Sequence, residues 1–90
     1  MKLQITTFMP DYRRPTWLIW LLYNVNAYVD TSSCGAISQI RTLLDEKEYV
    51  KRNSRYKICD CVEIEEKEDE LTLRTVFKHK DIVTFKLINE

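Results

Sequence analysis

The chain has 90 residues, 14 Lys and Arg against 14 Asp and Glu, no formal net charge, 44% hydrophobic residues and one glycine. A chain of this length is a single domain over residues 1 to 90. Folding hides only about 60 to 65% of the surface the extended chain would expose, which leaves little room for a deep substrate cleft beside a core and argues against an enzyme. The charge balance excludes a global field that would select nucleic acid or an anionic membrane, so electrostatic recognition must come from local clusters. A lone glycine excludes dinucleotide and phosphate-loop motifs.

The three cysteines, Cys34, Cys59 and Cys61, cannot all pair within one chain, and Met1 is followed by alternating polar residues rather than an apolar leader. Both features predict a reducing, cytoplasmic setting. The most apolar run, Trp17 to Tyr23, is interrupted by Asn24 and Asn26. It falls short of the roughly 20 residues of a membrane span.

Lys2 to Met9 alternates, with Leu3, Ile5 and Thr7 on one side, and predicts a half-buried strand ended by Pro10. Pro10 to Pro15, enclosing Asp11, Tyr12, Arg13 and Arg14, reads as an exposed and rather stiff loop. Thr16 to Val29 suits either a strand or a helix. Its apolar alternation from Trp17 to Val29 is unbroken, whereas on a helix Asn24 and Asn26 would point about 200° apart and spoil a single polar face. A long strand is therefore expected. The alternative is a helix with Pro15 at its start. Asp30, Thr31, Ser32 and Ser33 then offer caps to a helix whose apolar positions Ala36, Ile37, Ile40, Leu43 and Leu44 recur through about Tyr49. This helix would bury Cys34 in its first turn.

The remainder predicts a three-stranded antiparallel meander. A hairpin turning at Lys67 and Glu68 sets Ile58 against Phe77, Val62 against Leu73 and Ile64 against Leu71. A second turn at His79, Lys80 and Asp81 sets Val83 against Phe77, Phe85 against Thr75 and Leu87 against Leu73. One face is then apolar apart from Asp60, expected to turn outward at a bulge over Cys59 to Cys61 or to be tied to Thr75 or a backbone amide, with a general acid or base of raised pKa as the functional alternative. The fold expected is α+β: an antiparallel sheet of N-terminal strand, long second strand and meander packed on one main helix. With Thr16 to Val29 helical, two helices cover a four-stranded sheet.

Chemical motifs are weak. Cys34, Cys59, Cys61 and His79 make a Cys3His set by count, but nothing supplies a second knuckle, and no metal or cofactor is expected. Cys34 is followed by six residues before Arg41, one too many for a cysteine phosphatase loop. Charge is better organised. Glu63, Glu65, Glu66, Glu68, Asp69 and Glu70 gather at the first hairpin, and Lys51, Arg52, Arg55, Lys57, Lys78 and Lys80 gather at the opposite end. The acidic tip could occupy a basic groove on a protein, and the basic end could hold nucleic-acid phosphate. Trp17, Trp20 and Leu22 give the second strand two apolar faces, which suggests a homodimer or an aromatic-rich partner contact. The leading expectation is an intracellular binding protein that inhibits or modulates a protein partner, of the kind to which inhibitors, immunity proteins, antitoxins and phage host-takeover factors belong. A nucleic-acid-binding regulator is the rival, and a small thiol or acid-base enzyme the third.

Overall fold

The structure, a computed structural model, describes residues 1–46 and 62–89. The order is β1 (Lys2–Thr7), a 3-10 turn (Asp11–Arg13), α1 (Thr16–Tyr28), α2 (Ala36–Glu46), β2 (Val62–Glu66), β3 (Glu70–Thr75) and β4 (Asp81–Ile88). The strands form one antiparallel sheet in the order β1-β4-β3-β2, so the chain's first and last strands lie side by side. The fold is α+β, and the described residues form two α-helices and a four-stranded sheet.

The inner face of the sheet carries Leu3, Leu71, Leu73, Val83, Phe85 and Leu87, which join Leu18, Leu21 and Val25 of α1 and Ala36, Ile37, Ile40 and Leu44 of α2 in one core. Both helices supply apolar residues at three- and four-residue spacing, the stripe a helix needs to lie on a sheet. Each fully buried Leu, Ile or Phe contributes about 1.5–3 kcal/mol of transfer free energy. The outer face is polar: Glu65 is registered with Thr72, Thr72 with Thr84 and Thr84 with Thr6. The Thr72 and Thr84 hydroxyls lie 3.2 Å apart.

The long second strand expected over Thr16 to Val29 is replaced by α1. Its physical reason lies at Asn24, which is buried and whose amide donates to the Trp20 carbonyl at 2.8 Å. A polar residue that bonds the carbonyl four positions back needs no polar face. Pro15 precedes the helix, where its missing N–H costs nothing, and its carbonyl accepts from Leu18 and Ile19.

The oxygens of Asp30 and Ser33, expected to cap the helix, close the turn before it instead, because α2 begins only at Ala36. Asp30 Oδ1 accepts from the Ser32 hydroxyl at 2.7 Å and amide at 3.1 Å. Those bonds hold its carboxyl below the usual range. Ser33 Oγ accepts from the Gly35 amide at 3.0 Å, and the Asp30 amide donates to Gln39 Oε1 at 2.8 Å. Cys34, expected inside the first helical turn, is exposed instead, because the helix begins only at Ala36.

The meander stands, with its turns displaced. The first hairpin turns at Glu68 and Asp69, pairing Ile64 with Leu73 and Val62 with Thr75, two residues from the expected register. A two-residue shift leaves every side chain on its face, which is why the alternation alone could not distinguish the two. The second turn runs over Val76 to His79, so Phe77 leaves the sheet and Leu73 pairs with Val83. An irregularity between Leu73 and Arg74 lets Asp81 open β4 opposite Arg74, where their side chains pair at 3.0 Å. Ile58, Asp60 and the expected end of the helix at Tyr49 lie outside the described residues.

Candidate interaction surfaces

The hairpin connecting β2 and β3 separates the six clustered acids into two groups. Glu63 and Glu65 lie within β2 and are engaged. Glu63 Oε1 meets His79 Nδ1 at 3.3 Å, and Glu65 pairs with Arg74 and, at 3.5 Å, with Lys67. The Arg74 hydrogen bond holds Glu65 below the usual carboxylate range, and the same bond raises Arg74, with Asp81 assisting. Glu66, Glu68 and Asp69 are exposed at the tip, with Glu70 half-buried beside Thr72. The tip is pinned, because the Leu87 amide donates to the Asp69 carbonyl at 2.8 Å.

The opposite end of the sheet holds Lys78 and Lys80, both exposed. Lys51, Arg52, Arg55 and Lys57 lie outside the described residues. Register brings other groups here that sequence reasoning left in a separate loop. Thr7 pairs with Val83, and the Phe8 amide donates to the Ile82 carbonyl at 2.9 Å, so the loop after β1 and the turn before β4 leave the sheet together. Phe8, Tyr12 and Arg13 therefore share an end with Phe77, Lys78 and Lys80. Only the pairing of β1 with β4 creates this end, and such non-local pairing leaves no local signal in the chain.

Among the proposed oligomer contacts, Trp17 is only 6% exposed and belongs to the core, so it offers no surface to a partner. A strand would have turned Trp17 and Trp20 to opposite faces, whereas α1 sends Trp17 inward. Trp20 and Leu22 are half-buried, and Trp20 stacks on Tyr23 with ring centroids 5.7 Å apart. The outward side of α1 is formed by Thr16, Ile19, Tyr23, Asn26, Ala27 and Tyr28. The helix carries no Asp, Glu, Lys or Arg on any face. A solvated helix ordinarily bears charge on its outer side.

Cys34 borders an open pocket of about 370 Å³ with Met1, Glu68, Asp69, Leu87 and Asn89, at the acidic end. His79 lies in the turn before β4, at the other end, so Cys34 and His79 cannot bind one ion together. Cys59, Asp60 and Cys61 lie outside the described residues. Among the described residues no helix is long and apolar enough to cross a membrane. Comparison with protein-family models, with curated proteins and with solved structures finds no match.

Proposed function

We propose that this chain is a cytoplasmic binding protein that modulates a protein partner by covering part of its surface, with the outward side of α1 as the contact. The observation that carries this reading is the absence of charge along α1 together with the exposure of Ile19, Tyr23 and Tyr28. Interface cores are depleted in charge and enriched in aromatic residues, because an unpaired charge desolvated on binding is costly while a ring supplies contact area with little rotamer entropy to lose. The helix ends at Tyr28, and the loop after it lies against β1 where the Leu3 amide donates to the Thr31 carbonyl. Glu66, Glu68 and Asp69 are at this same end of the sheet, so the apolar side of α1 leads toward an acidic margin. That margin favours a partner with basic groups beside an apolar surface, over a second copy of this chain.

A photo-cross-linkable phenylalanine analogue placed at Tyr23, in the native source, tests the proposal. A discrete adduct with one other protein is expected, absent when the analogue replaces Lys86 on the outer face of the sheet and diminished when Glu66, Glu68 and Asp69 become lysines. No adduct at Tyr23, or an adduct only between two copies of the chain, refutes it.

A further inference from the structure

The end of the sheet away from the acidic tip displays three large rings: Phe8 is 54% exposed, Tyr12 83% and Phe77 77%. None belongs to the core, and two carry cations. The Arg13 guanidinium lies over the Tyr12 ring at 5.7 Å from its centroid, and the Lys78 ammonium over Phe77 at 5.5 Å. β1, β4 and β3 are successive neighbours about 4.8 Å apart, so the loop after β1 and the turn after β3 emerge within roughly 10 Å of one another.

Among the described residues, Asp11, Asp81 and Glu63 at this end are engaged. Asp11 pairs with Arg14 at 2.8 Å, Asp81 with Arg74 at 3.0 Å, and Glu63 with His79 at 3.3 Å. Among the described residues no carboxylate pairs with Arg13, Lys78 or Lys80. Three uncompensated cations therefore stand among exposed rings. The presentation is also held firmly. Lys78 and His79 occupy the left-handed region in succession, at φ 71° and 49°. The Thr75 hydroxyl donates to the Phe77 carbonyl at 2.7 Å and accepts from the Lys80 amide at 3.1 Å. Non-glycine residues kept in this region are strained, and such strain concentrates where a turn presents a contact.

We infer that this end binds single-stranded nucleic acid, with Phe77 and Tyr12 stacking bases and Arg13, Lys78 and Lys80 meeting phosphates. Charge selects a polyanion, and the rings select one whose bases are free to stack; a duplex hides those faces. An acidic protein would match the cations, but it would leave three rings without planar partners. The inference is independent of the α1 contact, because it uses other residues at the end opposite the acidic margin.

Fluorescence anisotropy with a labelled 15-nucleotide mixed-sequence oligonucleotide, as DNA and as RNA, tests it on the full chain at 50 mM salt. Saturable binding is expected, tighter for the single strand than for the duplex of the same sequence and weakening as salt rises. Phe77→Ala and Tyr12→Ala should each weaken it about five-fold or more, at unchanged melting temperature, since both rings are exposed. Arg13→Glu with Lys80→Glu should abolish it. No saturable binding up to 100 µM protein overturns the inference. So does equal affinity for the duplex, binding insensitive to both ring substitutions, or preferential binding to anionic vesicles or to an acidic protein.

Discussion

Asn24 lies among the buried residues of α1, where a side-chain amide without a partner would cost about 1–3 kcal/mol. Its bond to the Trp20 carbonyl removes part of that cost, and it depends on a donor. Asn24→Asp keeps the shape and replaces the donor with an ionised oxygen facing a carbonyl. Burial and repulsion then push the new carboxyl above its ordinary range, so the folded state gives up this proton only at a higher pH than the unfolded state does. A group raised in this way costs stability where it must ionise and recovers it as pH falls. The variant should be at least about 2 kcal/mol less stable than the parent at pH 7 in urea unfolding, and the gap should narrow toward pH 4. A gap independent of pH would show that the loss is only one of packing. This bond also explains why the helix was hard to read. Periodicity treats an Asn among apolar positions as a break, and nothing in a linear pattern reveals that the fourth carbonyl back will satisfy it.

At the scale of elements, the strands were legible and their ends were not. Leu71, Leu73, Phe85 and Leu87 alternate wherever the turns fall, so burial specifies which face they take and leaves a two-residue slip undetermined. What decides the second turn is local chemistry at Thr75, whose hydroxyl closes the loop and holds it with Lys78 and His79 at positive φ. No Gly or Asn advertises this turn, and it was therefore expected later, at His79 to Asp81. The same absence makes a prediction. An L-residue in the left-handed region carries roughly 1–2 kcal/mol of strain, and glycine removes it while adding about 0.4–1 kcal/mol of unfolded-chain entropy. Lys78→Gly should thus stabilise the protein by about 0.5 kcal/mol, raising the melting temperature by roughly 2–4 °C. A fall in melting temperature would mean that Lys78 contributes more by lying over the Phe77 ring than the strain takes away. α1 poses the opposite problem, because its apolar residues serve a strand and a helix equally. A helix of 13 residues without charge pairs has little stability of its own, so burial of its apolar residues in the core shared with the sheet selects it.

Over the whole molecule, zero net charge conceals an arrangement in which the described residues place acid at one end and cations without carboxylate partners at the other. β4 has 8 residues, so the two ends lie roughly 25 Å apart along the strand, within a body of 35 × 29 × 23 Å. At 0.15 M salt the Debye length is about 8 Å, and each end acts on a partner without sensing the other. At 0.01 M it is about 30 Å, and the acidic tip repels an approaching polyanion even when that polyanion docks at the far end. Changing Glu66, Glu68 and Asp69 to lysines should therefore speed association of a single-stranded oligonucleotide several-fold at 0.01 M and leave it unchanged at 0.15 M, in stopped-flow fluorescence. Dissociation should be unaffected at 0.15 M, since the substituted residues lie outside the contact. An acceleration that persists at 0.15 M would place the oligonucleotide on the hairpin tip itself. The two ends would then no longer be separate surfaces, and a protein bound along α1 toward the acidic margin would compete with nucleic acid. Independence at physiological salt instead allows both to be held at once, with the domain bridging a protein at one end and a single strand at the other.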